Sequence, residues 1–368
     1  MQRTKPPFRA DHVGSLLRPP ALLQARAAAA EGRLGADALR AAEDEAIRDA
    51  LRRQREVGLD VVTDGEFRRG SWLTSMADAV DGFVPEGIVI RWYGPGGGEE
   101  SSTARVAGAR LEQTRRLTGD EVPFLAQHAG APFKVTVPTA SSFLLVSYKP
   151  GLTDRFYPTR AAMVGELALI VRRELAALAD DGVPYLQLDA PYYTSYLDPR
   201  VRERLRAGGI DPDRAFDESL AADRESLGGI GRPGVTVALH VCRGNSRGRW
   251  FTEGGYDPIA EKLFGTLPVD RFLLEYDTER SGGFAPLRFV PRGTMVVLGL
   301  VSTKEPRLEP MDELRRRIDE AARYVPLESL ALSPQCGFAS VAAGNLVSPD
   351  DERRKLERVV ETARKVWS

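Results

Sequence analysis

The chain has 368 residues, a formal net charge of −1, 42% hydrophobic residues and 28% charged residues. This composition is typical of a globular protein with a sizeable core, and the balanced charge argues against nucleic acid or an anionic membrane surface as a partner. No apolar run approaches the roughly 20 residues that span a bilayer, and the N-terminus lacks the apolar core of a signal peptide. Two widely separated cysteines form no disulfide framework, which favours a cytoplasmic location.

The first elements alternate between strand and helix. A candidate strand covers Phe8–Ser15, and helical sequence follows over Pro20–Val57. Its second part, Asp37–Val57, has apolar residues along one face, and Gly58 occupies the usual position after a helix C-terminus. A second strand, Leu59–Glu66, ends on a carboxylate.

Residues from about Ser71 to Ala131 interrupt this alternation. Two stretches of alternating apolar residues, Gly87–Tyr93 and Ala104–Leu111, flank a glycine-rich loop, which predicts an excursion with a small hairpin or lid. The loop has none of the flanking sequence of a phosphate-binding motif, so a flexible tip is favoured. Trp92 and Tyr93 could stack on a flat ligand or pack against the rest of the fold.

Six more strands are predicted downstream, at Pro132–Pro138, Tyr185–Pro191, Thr236–Cys242, Arg271–Asp277, Thr294–Ser302 and Leu330–Cys336. Helical segments are predicted at Thr159–Asp180, Asp198–Arg206, Pro212–Leu227, Pro258–Gly265, Ala285–Phe289 and Met311–Tyr324, with a last helix starting at Ser348. The near-continuous hydrophobicity of the strands is typical of a parallel sheet covered on both sides. Eight β/α units predict an α/β fold of the (β/α)8 TIM-barrel class, with an insertion between strands 2 and 3. We expect residues 1–368 to form a single barrel domain, since the glycine fingerprint of a doubly wound sheet is missing.

Polar residues cluster at the predicted strand ends, where a barrel carries its functional groups. These residues are His12, Ser15, Glu66, Asp189, His240, Cys242, Glu275, Lys304 and Cys336. Buried carboxylates cost free energy unless they are paired or coordinated, so three of them at apolar strand ends indicate one site.

Three residues in this set are ligands of the kind that zinc prefers. His240 and Cys242 are one residue apart, so a β-strand directs both side chains to the same face. Cys336 ends another strand and supplies a third ligand. Taken singly, each residue could equally be a core histidine or a small buried hydrophobe; together they predict a zinc site.

These residues fall in motifs that resemble the catalytic barrel of cobalamin-independent methionine synthase, and more closely its short single-domain relatives. The matching motifs are His12–Ser15, Gly58–Glu66, Leu188–Pro191, His240–Cys242, Leu274–Glu275 and Ser333–Gly337, and the resemblance covers nearly the whole chain. It implies a catalytic Zn²⁺ held by His240, Cys242, Glu275 and Cys336. It also implies that Glu66 and Asp189 hold the ammonium of an amino-acid thiol, and that Gly14 and Ser15 hold its carboxylate.

The implied reaction is methyl transfer to homocysteine, giving methionine, with a methylfolate or a methylcorrinoid as donor. Zinc binding deprotonates a thiol at neutral pH and so produces the nucleophile. Glu275 is a hard ligand among softer ones, so we expect it to be displaced when the substrate sulfur arrives. The full-length enzymes of the family carry a histidine near the end of the seventh strand, where this chain has Gly299–Lys304. His12 and Lys304 are therefore the candidate catalytic residues, although His12 could instead have an orienting role.

Three alternatives stay open at this point. An alkyltransferase using coenzyme M would need cations such as Arg18, Arg68, Arg69 or Lys304 for the sulfonate. A metal-free decarboxylase of the uroporphyrinogen type is disfavoured by the complete zinc set. A non-catalytic zinc-binding homologue would lack activity. The sequence leaves the donor undecided, and a homo-oligomer is compatible with it.

Overall fold

The computed structural model describes residues 6–94 and 98–367. Its strands are β1 (Val80–Tyr93), β2 (Glu99–Gln113), β3 (Lys134–Pro138), β4 (Tyr185–Asp189), β5 (Thr236–Val241), β6 (Arg271–Glu275), β7 (Met295–Val301) and β8 (Leu330–Pro334). Its α-helices are α1 (Pro20–Ala30), α2 (Ala36–Val57), α3 (Thr74–Ala77), α4 (Val122–His128), α5 (Arg160–Asp180), α6 (Pro199–Ala207), α7 (Pro212–Ser226), α8 (Ala260–Thr266), α9 (Met311–Ala321) and α10 (Pro349–Trp367). Within the described ranges, no helix combines the length and apolar character needed to cross a membrane.

Strands β3 to β8 form one parallel sheet in which strands consecutive in sequence are neighbours. The predicted first and second strands are wrong as continuous strands, because each is reduced to a single bridge. Ala10 pairs in parallel with Leu332 of β8, and Val62 pairs in parallel with Phe133 beside β3. The Asp60 backbone N–H donates to the Ala10 carbonyl at 3.1 Å, which links the two short segments to each other. The ring of eight segments is thereby closed, and the predicted TIM-barrel class is confirmed.

The two short segments leave extended geometry where the backbone φ turns positive. Gly14 has a φ of 144° and Glu66 has a φ of 58°. Neither value is compatible with a continuing strand. The chain therefore bends into loops at the end of the barrel that carries the candidate residues.

Alternate positions of the parallel strands face two separate cores. The core inside the ring contains Phe8, Val13, Val61, Tyr185, Ala238, Leu273, Met295, Val297 and Ala331. The intervening positions, such as Leu239, Leu274 and Leu298, belong to the larger core packed beneath the helices. Because side chains alternate with a period of two, His240 lies on the same inward face as Ala238.

The helices that cover the barrel follow local sequence signals. Helix α2 buries Ala46, Ile47, Ala50 and Leu51 along one face and ends at Gly58, whose φ of 89° is the left-handed conformation that glycine adopts readily. Helix α5 begins after Thr159, whose hydroxyl accepts a hydrogen bond from Ala162 N–H.

The insertion between the second and third segments of the ring contains an antiparallel hairpin of β1 and β2. Its far end is joined to the loop after β5, because Tyr93 and Trp250 exchange backbone hydrogen bonds of 2.6 and 2.9 Å. The middle of the predicted glycine-rich tip, residues 95–97, lies outside the described residues. The hairpin thus reaches the barrel end at which β5 terminates.

Candidate active site

Three metal-ligating side chains meet at the carboxyl ends of β5 and β8. His240 faces inward near the end of β5, Cys242 follows directly after that strand, and Cys336 follows β8. Their ligand atoms all lie within 4.8 Å of one another, and the two sulfurs are 3.6 Å apart. Both cysteines are buried free thiols. The period-two argument from the sequence thus matches the geometry of the cluster.

The cluster has the properties of a metal site. Within the described residues, neither nitrogen of the buried His240 imidazole has a hydrogen-bond partner, and such an unpaired buried group costs about 1–3 kcal/mol. A tetrahedral zinc with Zn–S bonds of about 2.3 Å separates two thiolates by about 3.8 Å, close to the observed 3.6 Å. These residues therefore fit zinc.

A hydrogen bond joins the two thiols, whose sulfurs lie 3.6 Å apart. This bond, helped by the neighbouring His240, outweighs burial and lowers the pKa of Cys336 well below its usual value. The same bond and burial raise the pKa of Cys242. The lowered pKa of Cys336 favours its thiolate, which is the form in which cysteine binds a metal.

The structure does not bring Glu275 into this cluster. Its carboxylate accepts a hydrogen bond of 2.7 Å from the Arg243 backbone N–H and an ion pair of 2.9 Å from Arg280. Burial raises the pKa of Glu275, but Lys304, Arg280 and Arg243 outweigh it and hold that pKa below its usual value. As a fourth ligand, Glu275 would have to give up these partners. The three clustered ligands leave one coordination position open, as in catalytic zinc sites.

Two buried carboxylates, Glu66 and Asp189, line the same cavity as the three ligands. Burial raises the pKa of both groups, in the case of Asp189 to about 7. The charge of Glu66 adds to the rise for Asp189, whereas Arg69 and Arg18 oppose the rise for Glu66. Glu66 accepts a hydrogen bond of 3.0 Å from the Thr136 hydroxyl. Neither carboxylate has a lysine or arginine ion-pair partner in the described part of the chain. Such a pair is suited to bind a cationic group of a ligand.

A buried network that sequence analysis missed orients Asp189. Lys134 lies inside the barrel, where its ammonium pairs with Asp11 at 2.6 Å and donates to Gln187 Oε1 at 2.9 Å. Since the amide oxygen faces Lys134, the Gln187 Nε2 faces the other way and donates to Asp189 Oδ1 at 2.8 Å. The signal was available, since Gln187 precedes Asp189 by two positions on β4 and so shares its inward face.

The Gly14–Ser15 turn lies beside the carboxylates. Ser15 lines the cavity, and its hydroxyl occupies the space next to Gly337, where a Cβ would lie only 1.9 Å away. A Cβ at Gly14 would lie 3.0 Å from Glu66 Oε1, so only glycine keeps the backbone this close to the carboxylate. Gly14 can therefore contribute only backbone groups.

His12 and Lys304 are not among the residues that line the cavity. Burial and the nearby Lys134 ammonium lower the pKa of His12 to about 3, so its imidazole is neutral at physiological pH and has no proton to give as an acid. The Lys304 ammonium donates to the Gly244 carbonyl at 2.6 Å. This geometry favours positioning roles for both residues over proton transfer.

One wall of the cavity is aromatic. Trp72, Trp92, Tyr192 and Phe251 line it. Of these four, sequence analysis singled out only Trp92. Tyr192 could have been found as well, because it follows Asp189 by three residues on the loop after β4.

Comparison with known proteins gives a consistent result. A family model described as the catalytic domain of cobalamin-independent synthase matches residues 8–90 and 154–364. The uncharacterized protein YxjH of Bacillus subtilis is 38% identical over 379 residues, which cover 100% of this chain and 96% of that protein. Methionine synthase of Pyrococcus abyssi is 26% identical over 300 residues, covering 80% of this chain and 76% of the relative.

Two solved structures share the fold over almost their whole length. A putative vitamin-B12-independent methionine synthase from Listeria monocytogenes is 30% identical with a TM-score of 0.74, covering 98% of both chains. A B12-independent methionine synthase from Shewanella sp. W3-18-1, in complex with selenomethionine, is 19% identical with a TM-score of 0.75, and the match covers 98% of this chain and 97% of the Shewanella chain. At that identity the second likeness concerns the fold alone.

Proposed function

The chain belongs to the family of cobalamin-independent synthase catalytic domains, and we propose that it is a zinc-dependent methyltransferase that activates the thiol of homocysteine and forms methionine. The observation that carries this proposal is the position of the ligands. His240, Cys242 and Cys336 line the same cavity as two buried carboxylates without ion-pair partners. One cavity can thus hold both the thiol and the ammonium of a single amino acid.

The residues of the chain divide the work of binding and activation. His240, Cys242 and Cys336 would hold zinc, which supplies the acidification of a thiol at neutral pH. Glu66 and Asp189 bind the α-ammonium, and the Gly14–Ser15 turn holds the carboxylate. This two-point attachment fixes the orientation of the amino acid relative to the three metal ligands. Orientation of this kind lowers the barrier to attack on a methyl group.

The carboxylate pair also favours homocysteine over coenzyme M. The sulfonate of coenzyme M needs a cationic partner, but no lysine or arginine is among the described residues that line the cavity. Arg18 donates to the Glu66 and Arg69 carbonyls, and Arg68 pairs with Asp44 at 2.7 Å. The Arg69 guanidinium is held by Glu121 at 2.7 Å. The cations that could have served a sulfonate are therefore already engaged.

Zinc content and zinc-edge X-ray absorption test this function. We expect one zinc per wild-type chain, loss or weakening of binding in Cys336→Ser, and a new sulfur ligand when L-homocysteine is added. Ser340→Ala is the matched control, because the Ser340 hydroxyl lies 3.7 Å from the Cys336 sulfur without belonging to the ligand set. A wild-type protein prepared without chelators that contains no metal would contradict the proposal. A zinc protein that forms no methionine with any donor would be the non-catalytic homologue.

A further inference from the structure

The aromatic wall, formed by Trp72, Trp92, Tyr192 and Phe251, is contributed by separate parts of the fold. Trp92 lies on β1, and the other rings follow the second segment of the ring, β4 and β5. The ring centroids of Trp72 and Tyr192 are 6.0 Å apart, those of Tyr192 and Phe251 are 5.1 Å apart, and those of Phe251 and Trp92 are 5.5 Å apart. The rings thus form a continuous surface beside the ligand cluster.

Lysine and arginine side chains do not stack on the faces of these rings in the described part of the chain. Arginine side chains stack on aromatic rings nearby, with Arg280 4.3 Å from the Trp250 ring and Arg200 4.8 Å from the Tyr93 ring. Within residues 6–94 and 98–367, no lysine or arginine stacks on any ring of the aromatic wall. A ring face lined up on a cavity and free of protein cations can bind a ligand cation.

The charge of the cavity favours a cation in the same place. Its lining includes Glu66 and Asp189, and no lysine or arginine among the described residues. A zinc ion held by two thiolates would add no net charge, and a bound amino-acid thiolate brings one ammonium and two anionic groups, so the balance stays negative. A second ligand therefore meets a negative cavity with an aromatic surface, which attracts a cation and repels an anion.

Among the described residues that line the cavity, none is left free to protonate a leaving group once the carboxylates hold the ammonium of an amino-acid thiol. His12 is neutral and lies outside the lining. Burial raises the pKa of the Tyr192 hydroxyl, which makes it a poor proton donor. Glu66 and Asp189 are needed as carboxylates for the ammonium. A methyl donor that departs as a neutral molecule needs no such acid.

Resting on the proposed function, we propose that the methyl donor is a small methyl-onium compound, either a methylsulfonium or a quaternary methylammonium, bound against the aromatic wall. The thiolate sulfur of the bound amino acid forms a bond to the methyl carbon. The bond from that carbon to the positive sulfur or nitrogen breaks, and its electron pair stays on the departing neutral thioether or tertiary amine. The proton of the thiol has already passed to solvent, and no oxidant or reductant is required. Trp92 lies outside the residues matched by the family model.

A binding titration on the zinc-loaded protein tests the cation site directly. Ligand-observed NMR would follow the methyl signals of trimethylsulfonium, tetramethylammonium and neutral tert-butanol. We expect the cations to bind about tenfold more tightly than the alcohol. Trp92→Leu should abolish most of this preference, whereas Trp367→Leu should keep it, since the Trp367 ring is covered by Arg9 elsewhere. Equal binding of alcohol and cations, or an equal loss of both in Trp92→Leu, would overturn the proposal.

Label transfer separates the possible donors. The protein is incubated with homocysteine and one trideuteromethyl-labelled donor: trimethylsulfonium, tetramethylammonium, methyltetrahydrofolate or methylcobalamin. Labelled methionine from the sulfonium, with slower transfer from the ammonium, is expected because a thioether is the better leaving group. Label from the folate or the corrinoid alone would refute the onium donor while leaving methionine formation intact. Failure of homocysteine to bind at the zinc edge would instead refute the proposed function, and the titration would still decide the cation site.

Discussion

Glu352 of α10 provides a sharp test of how the barrel supports its site. This side chain is 6% exposed, and its carboxylate accepts a hydrogen bond of 2.7 Å from the backbone N–H of Leu17, two residues beyond Ser15. Burial raises the pKa of Glu352 to about 7, against the opposing effects of the Leu17 bond and Arg53. We predict that Glu352→Gln stabilises the protein at alkaline pH, because glutamine keeps an acceptor for Leu17 and carries no charge.

The magnitude follows from linkage. The pKa rises from 4.5 in the unfolded chain to about 7 in the folded protein, so the folded state binds more protons between these values and stability falls as the pH rises through them. The cost of ionising the buried group is about 0.8 kcal/mol at pH 5 and about 3.3 kcal/mol at pH 8. Relaxation around the carboxylate reduces both figures, so the difference of about 2.5 kcal/mol is an upper bound.

Urea unfolding at pH 5 and pH 8 measures this difference. The midpoint of Glu352→Gln should exceed that of the wild type clearly at pH 8 and only slightly at pH 5. Glu357→Gln is the control, since Glu357 lies on the same helix, is far less buried than Glu352, and pairs with the exposed Arg353 at 2.9 Å. A shift of equal size at both pH values, or destabilisation at pH 8, would refute the reasoning.

Three further predictions concern the site. Gln187→Leu removes the hydrogen bond that lowers the pKa of Asp189, so the KM for homocysteine at pH 7 should rise about tenfold and recover toward pH 9. The zinc content should stay unchanged, and a KM rise independent of pH would count against this account. Gly244→Ala should lower the thermal midpoint more than Gly234→Ala, because both positions have a positive φ but only the Cβ at 244 would meet Phe251, at 2.4 Å; equal effects would show that the contact relaxes freely. Removing the metal with a chelator should lower the thermal midpoint reversibly, since the ligand cluster exists only in the folded chain, and an unchanged midpoint would argue against a metal at this cluster.

The fold class of this protein could be predicted from local sequence pattern. Strands buried on both faces must be apolar along their length, so the alternation of apolar runs and helical segments was sufficient to predict the barrel. The spacing of His240 and Cys242 was equally local, because a strand has a period of two. The hairpin insertion was visible as a change of period between residues 71 and 131. These features depend on neighbours in sequence, and so sequence alone could predict them.

Other features depend on groups that are distant in sequence. The first two strands are short because Gly14 and Glu66 turn the backbone, and their pairing with Leu332 and Phe133 replaces longer ladders. The place of Glu275 at a strand end suggested a metal ligand, but Arg280 and the Arg243 N–H bind its carboxylate. No pattern within a single strand could reveal these partners.

The same distinction separates what the amino-acid sequence determined about the site from what the tertiary structure decided. The sequence alone identified which residues end the strands, since burial and backbone period impose a local order on residue types. Only the tertiary structure decided their states, making His12 neutral beside Lys134 and leaving both nitrogens of His240 without partners. It also assembled the aromatic wall from four separate segments. The physical reason is that charge, desolvation and ring contact are set by distance in space, and that distance arises only when the barrel closes.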